Sequence, residues 1–489
     1  MKTIILFLLV FTLQVTAQEI SPKRLYLGND THVDLMYNGT EEEWDRKILD
    51  MADFYLKLGE DTKNEPDVAR RSKWNYDCAY WLYTLEKKTS PEYFNRIINQ
   101  IKNQQASVPY NFTLPIYGAF SSESILRSFY FGGYLERKYG IDVDIAVCQE
   151  NATVPLGLAS LWAGSGAKYS WKGVCYCATK TKNHGVRDHE MYRYKGLDGQ
   201  SVLMKWYSIL GNNSELGGYS ELLEPTVAVW QMDTLCGTKR YPYRIAGAFG
   251  KGWDNMVNYS YDMVWHLNHR TRPGTKLFIS NELDFFQDFE KTYGSQIPPE
   301  TKAYGNEWDL LPATLSNVSS GIRREMEKLR NAEALATIFQ KDIDFTGLKI
   351  QKSDFMYGLS TISAHGWTID GPVSKKTFTD WARKQHNNIA KYVDTLTQVG
   401  LQTWAGKIPA VENGKRVSFF NALNWKRDAT IEVKNMGKGN YEIVNESNNQ
   451  AVDYSFSKEG KLLLFLKDVE ALSFSNVKIT ETAKTLKVK

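Results

Sequence analysis

The sequence predicts an α/β fold that gives way to a small helical bundle and then to a C-terminal antiparallel β region. Three patterns predict it. Between about residues 23 and 312, short apolar runs (25–27, 141–147, 168–171, 227–231 and 276–280) alternate with helix-like stretches that carry charged faces, such as 41–58 and 91–104. Strands alternating with helices imply βα units and a mostly parallel sheet or barrel. From 321 to about 402 apolar residues recur at helical spacing, in Glu325-Met-Glu-Lys-Leu-Arg-Asn-Ala-Glu-Ala-Leu-Ala-Thr-Ile-Phe339 and again over 375–399. After Gly406, Lys415-Arg-Val-Ser-Phe-Phe-Asn421 and Lys461-Leu-Leu-Leu-Phe-Leu466 read as short strands between Gly, Asn and Asp turns. The expected domains are therefore 20–315, 320–405 and 406–489. One hairpin interrupts the first of them, where Asp198-Gly199 separates two strand-like runs.

The N-terminus reads as a secretory signal peptide over 1–17. Met1-Lys-Thr3 precedes the apolar run 4–10, and Val15-Thr-Ala17 is a small-residue cleavage site. No later run is long and apolar enough to span a bilayer, so the mature chain is expected to be secreted or periplasmic with no membrane anchor. A net charge of +4 over 489 residues, without a Lys/Arg block, argues against a nucleic-acid partner. The 14 Trp, 28 Tyr and 22 Phe suit a protein that stacks sugar rings, although a large core accounts for many of the same residues. Five Cys (Cys78, Cys148, Cys175, Cys177 and Cys236) leave at least one thiol unpaired. Cys175-x-Cys177 is too closely spaced for an unstrained bridge and lacks a second pair at zinc-ribbon spacing.

The chemistry concentrates in four segments. Thr31-His-Val-Asp34 follows a short apolar strand. Residues two apart on a strand share a face, so His32 and Asp34 can present an imidazole and a carboxylate together. That pair suits half a divalent-cation site or an acid/base couple, and equally a strand end bonded to nearby backbone. Ile145-Ala-Val-Cys-Gln-Glu-Asn-Ala-Thr-Val-Pro155 is an apolar strand ending in Glu150. Leu277-Phe-Ile-Ser-Asn-Glu-Leu-Asp-Phe285 is another strand ending in acids. Ser363-Ala-His-Gly-Trp-Thr-Ile-Asp-Gly-Pro372 sets His365 in a Gly-flanked loop.

In this order and at these spacings the chain resembles glycoside hydrolase family 38, the α-mannosidases. Arg330-Asn-Ala-Glu-Ala-Leu-Ala336 resembles that family's bundle helix, and Phe420-Asn-Ala-Leu-Asn-Trp425 its entry into the β-sandwich. The resemblance implies a seven-stranded β/α barrel, then the helical bundle, then β domains. It implies one divalent metal ion, zinc or alternatively calcium, held by His32, Asp34, Glu150 and His365. Glu150 falls on the family's nucleophile, and Asp284 on its acid/base residue with Glu282 as the alternative. Tyr37 stands where the family stacks a Trp on the sugar. Trp74, Asp77 and Trp367 are further substrate-binding candidates, and a helix cap is the competing role for Asp77.

The chain departs from the family pattern in several places. Glu150 replaces the family Asp, and its extra methylene moves the carboxylate by more than an ångström. Asn151-Ala-Thr153 lacks the usual Phe-Gly, Gly366 replaces a neighbouring acid, residues 108–115 lack the Gly-Gly-Trp region, and the β region is short. The expected activity is a retaining glycoside hydrolase acting on an oligosaccharide or polysaccharide. A polysaccharide lyase eliminating across a uronate, with Tyr37, His32 or another His as the base, is the first alternative, and a non-catalytic glycan-binding protein the second. A polysaccharide deacetylase needs a His-x-x-x-His pair on a helix, which is missing. His184, His189, His266 and His269, with Trp265, read as loop surface or packing.

Overall fold

The computed structural model describes residues 21–29, 31–149, 152–173, 189–205, 225–250, 273–364 and 371–483. The chain divides into two compact units, Met1–Thr314 with Ser360–Asp380, and Leu315–Leu359 with Trp381–Lys489.

The described strands of the first unit are β1 (Lys23–Gly28), β2 (Trp74–Asn75), β3 (Ala106–Ser107), β4 (Ile145–Cys148), β5 (Tyr169–Lys172), β6 (Met191–Lys195), β7 (Ser201–Lys205), β8 (Ile245–Phe249), β9 (Thr275–Ser280) and β10 (Pro299–Glu300). β1 lies between β8 and β9 and runs parallel to both, with Leu25 level with Ala246 and Leu277. β4, β5 and β7 are mutually parallel within the sheet β10-β6-β7-β5-β4. A single core joins these sheets: Leu27, Val147, Trp171, Leu203 and Ala248 meet Phe285, Phe286 and Phe289 of the helix Glu282–Tyr293. Parallel strands buried on both faces read as continuous apolar runs, which is how 25–27 and 276–280 were legible.

Helix starts follow their sequence signals. Thr40 caps Glu41–Thr62 through a capping box with Glu43, and Glu41, Glu42 and Glu43 sit at the positive end of the helix dipole. Ser90 caps Pro91–Lys102, with Pro91 at its first position. No helix among the described residues is long and apolar enough to cross a membrane.

One expectation is corrected, and another is not shown by the described residues. The run 227–231 is not a strand but part of the helix Pro225–Leu235. An unbroken apolar run does not separate a buried strand from a buried helix, and Pro225 fixes the φ of a helical start. The strand that was missed is β8, Ile-Ala-Gly-Ala-Phe, whose small residues admit Phe285. A Cβ on Gly247 would lie 2.8 Å from that ring. The seven-stranded barrel implied by the resemblance is also not found: the described strands form three-, five- and two-stranded sheets, and none closes. β2 and β3 are two residues each, and β6 runs antiparallel to β7 through the Asp198-Gly199 turn, where Gly199 takes φ +86°.

In the second unit the helix Ser316–Ile338 packs along Lys375–Lys407, from His386 beside Gly321 to Gly400 beside Leu335. A Cβ on Gly321 would lie 2.4 Å from the His386 ring, so only glycine permits this approach. Seven strands follow: β11 (Lys415–Asn421), β12 (Arg427–Val433), β13 (Tyr441–Asn445), β14 (Gln450–Ala451), β15 (Asp453–Phe456), β16 (Leu462–Val469) and β17 (Ser473–Glu481). They form the sheets β11-β17-β13-β14 and β12-β16-β15, antiparallel throughout, around one core of Leu462, Leu464, Leu466, Val477 and Ile479. Leu464 is fully buried. Leu464→Ala should cost about 3 kcal/mol in urea unfolding, and a loss under about 1 kcal/mol would contradict this packing.

Candidate functional site

The strand tips of β1, β2, β3 and β9 are tied together by one side chain. Asn75 is fully buried. Its backbone N–H and its Nδ2 both donate to the Asn29 carbonyl at 2.9 and 3.1 Å. Its Oδ1 accepts from the Glu282 N–H at 2.7 Å and from Ser107 Oγ at 2.6 Å. Two residues on, Asp77 performs the next tie. Its Oδ2 accepts the Val33 N–H at 2.7 Å and its Oδ1 accepts Trp81 Nε1–H at 2.6 Å. Asp77 is 1% exposed, and burial pushes its carboxyl up from the ordinary range, against the pull of nearby His32 and the Val33 N–H. The helix Tyr80–Lys88 takes no side-chain cap, so Asp77 holds the His32–Asp34 segment rather than a helix start.

The structure brings His32 and Asp34 together. His32 Nε2 lies 3.2 Å from Asp34 Oδ1, and His32 Nδ1 lies 2.7 Å from Gln149 Oε1. Both side chains are almost fully buried. Gln149 follows β4 directly, and sequence reading passed it over in favour of the acid beside it. Asp34 also anchors a tight turn: its carbonyl accepts from the N–H groups of Tyr37 and Asn38 and from Trp44 Nε1. Met36 takes φ +65° inside this turn, a left-handed conformation unusual for a side chain that is not Gly, Asn or Asp. The turn presents Tyr37, which is half-buried.

Glu150, His365 and Trp367 lie outside the described residues. Their neighbours are placed. The Ser363 carbonyl accepts the Ile116 N–H at 2.9 Å, Ala364 pairs with Pro115, and the Val373 N–H donates to the Tyr37 carbonyl at 3.0 Å. A Cβ on Gly371 would lie 2.5 Å from the Tyr37 ring, so glycine is required for this contact. Ala364 and Gly371, the described residues on either side of 365–370, thus lie in the first unit, Gly371 against Tyr37.

Asp284 lies in the first turn of the helix Glu282–Tyr293, capped by Asn281, whose Oδ1 accepts the Asp284 N–H at 2.9 Å. Lys73 Nζ lies 2.5 Å from Asp284 Oδ2. Burial pushes the Asp284 carboxyl up and Lys73 opposes it, with burial prevailing. Glu282 is 3% exposed, against 21% for the Asp284 side chain. Trp74 is buried with its ring stacked on Tyr55 at 3.7 Å, and its Nε1 has no partner among the described residues. His189 is exposed; His184, His266 and His269 lie outside the described residues. Cys78, Cys148 and Cys236 are buried free thiols, while Cys175 and Cys177 also lie outside.

Sequence reading missed four polar residues at this end of the strands: Lys73, Gln149, Lys172 and Lys205. Lys172 and Lys205 end β5 and β7, are almost fully buried, and lie 5.4 Å from the Tyr304 ring and 5.3 Å from the Phe249 ring. A Lys at the C-terminal end of a parallel strand is the signal that was available. Among the described residues no group of three or more His, Cys, Asp or Glu is placed to hold a metal.

Asp77→Asn tests the tie. It sets an amide N–H₂ against the Val33 or Trp81 donor, and should cost about 2–3 kcal/mol of stability in urea unfolding. A neutral substitution would show that the Val33 segment is held by other groups.

No family model matches the chain, and no curated protein does. Solved structures do. An alpha-mannosidase from Enterococcus faecalis V583 superposes with a TM-score of 0.67 at 14% identity, covering 94% of this chain and 56% of that one. A protein in the glycosyl hydrolase family 38 from Enterococcus faecalis gives a TM-score of 0.63 at 14% identity, covering 95% and 55%. This chain spans about half the length of either structure. At such identity the likeness is one of fold, and over nearly its whole length the chain has the fold of these glycosyl hydrolase family 38 structures.

Proposed function

We propose that the chain is a secreted, metal-dependent carbohydrate-active enzyme that hydrolyses glycosidic bonds with retention of configuration. The observation that carries this reading is the His32–Asp34 pair. With Nδ1–H given to the Gln149 carbonyl oxygen, the Nε2 lone pair faces Asp34 Oδ1 at 3.2 Å. Two acceptors in that position repel unless a cation or a proton lies between them. The spacing matches the edge of a tetrahedral site with bonds of about 2.0–2.1 Å, and a metal-binding His usually gives its second N–H to such an oxygen. His32 and Asp34 therefore suit one edge of a zinc site, which Glu150 and His365, outside the described residues, would complete in this reading. Calcium, the alternative, prefers more oxygens. Such an ion, when bound, would supply fixed positive charge for the sugar hydroxyls.

The chain's own residues do the rest. Glu150 attacks the anomeric carbon. Asp284 gives its proton to the leaving oxygen, then takes one from the water that releases the glycosyl-enzyme. The aromatic rings of Tyr37 and Trp367 orient the sugar, and the buried ties of Asn75 and Asp77 keep the acid and the His32–Asp34 pair at fixed separation. The fold shared with an alpha-mannosidase supports a glycoside substrate. The signal-peptide pattern over 1–17 supports export.

Elemental mass spectrometry on the purified mature chain should find about one zinc or calcium per chain, lost in Asp34→Ala. No bound metal after incubation with either ion would remove the metal from this reading. Product mass then decides the bond chemistry: water added for hydrolysis, none for elimination, which would assign a lyase instead. No turnover across a glycan panel would leave a glycan-binding protein.

A pH profile tests Asp284. A general acid must be protonated, so activity falls as pH rises through its pKa. Lys73 holds that pKa down against burial. Lys73→Met removes the opposing pull, keeps the carboxyl protonated to higher pH, and should move the alkaline limb of kcat/KM upward. A downward shift or an unmoved limb would exclude Asp284 as the acid.

A further inference from the structure

The sheet β12-β16-β15 turns Leu462, Leu464 and Leu466 inward to the core of the second unit. Its outward face carries a different kind of row. Thr430 pairs directly with Phe465, and Phe465 directly with Asp453. Residues opposed in this way stand about 4.5–5.5 Å apart at Cβ. An aromatic ring therefore occupies the middle strand, with a hydroxyl on one side and a carboxylate on the other. Phe465 is 36% exposed, and Leu463 extends the apolar strip along β16 on the same face. A shallow recess of about 440 Å³ lies over the row, lined by Asp428, Thr430, Asp453, Phe465 and Lys467 together with Ala429 and Leu466. Asp428 is fixed in it by accepting the Asp468 N–H at 2.9 Å.

The composition of this face selects its occupant. An apolar helix or strand from a partner would set its own side chains against Asp428 and Asp453 and desolvate them without giving them donors. A pyranose ring does the reverse: its C–H face covers an aromatic plane while its hydroxyls donate outward to carboxylates and a threonine hydroxyl. A uronate or sulfated sugar would meet the two carboxylates, with only Lys467, 3.9 Å from Asp453, to offset them. We propose that the outward face of β12-β16-β15 is a binding platform for a neutral glycan chain, with a pyranose stacked on Phe465 and its hydroxyls bonded to Asp453, Asp428 and Thr430. The platform is built from residues other than those of the candidate active site, and it stands or falls separately from the hydrolysis proposed above.

Affinity electrophoresis of the full chain tests it, in gels containing mannan, galactomannan, xylan or, as the anionic probe, alginate. At least one neutral polysaccharide should retard the wild type. Phe465→Ala should weaken that retardation at least tenfold in apparent Kd, and Phe465→Trp should retain it. Turnover of small aryl glycosides, where measurable, should be unchanged in both variants, which separates this platform from the reacting site. Circular dichroism of Phe465→Ala should match the wild type because the side chain faces outward. Three results would overturn the proposal: no retardation by any neutral polysaccharide, equal retardation of Phe465→Ala, or stronger retardation by alginate. A dimer that Phe465→Ala dissociates would overturn it too, by giving the face to a second copy of the chain.

Discussion

The first unit depends on how the short parallel strands end. β2 and β3 contribute two residues each, too few for a ladder to set their register. The Asn75 side chain supplies what the ladder lacks. It joins Asn29 beyond β1, Ser107 at the end of β3 and the Glu282 N–H that opens a helix after β9. A buried amide whose donor and acceptor are both used specifies one arrangement, because any slip leaves a buried polar group unpaired at a cost of about 1–3 kcal/mol.

Asn111 repeats this device on β4. Its Oδ1 accepts the Val147 N–H at 2.8 Å and its Nδ2 donates to the Val147 carbonyl at 3.0 Å and to the Tyr117 hydroxyl. A side-chain amide here replaces a strand partner and fixes the end of β4, from which Gln149 reaches His32. The groups proposed for catalysis thus rest on amides bonded to backbone. Rigid elements with locked second contacts hold a site better than free loops do.

Much of this was legible in the sequence. The apolar run of β1, the caps at Thr40 and Ser90, and the strand Lys415–Asn421 carry their structure in local pattern. His32 and Asp34 were legible as a pair because they stand two positions apart, with only Val33 between them, and a strand precedes them. What escaped was non-local. Nothing in Trp-Asn-Tyr-Asp says that Asn75 and Asp77 reach Glu282, 207 residues away, and Val33. Gln149 carries no charge and so drew no attention, although its carbonyl oxygen meets the imidazole. The strand β8 was hidden because Ala and Gly serve close approach to Phe285 rather than hydrophobic burial.

Three carboxyl groups near the strand tips are candidates for the proton donor of the proposed reaction, and burial separates them. Burial pushes the Asp77 carboxyl upward, as an acid requires, but it is 1% exposed and both oxygens are occupied by Val33 and Trp81 donors. A proton there has no route to solvent. Glu282 is 3% exposed at the helix start that Asn75 holds. Asp284 is displaced upward by burial as well, keeps about a fifth of its side chain exposed, and faces a cation that limits the displacement. A general acid needs a raised pKa and repeated exchange of its proton with water. Of the three, Asp284 suits the proposed role best, because two residues further along the same first turn its side chain keeps that exposure and meets Lys73.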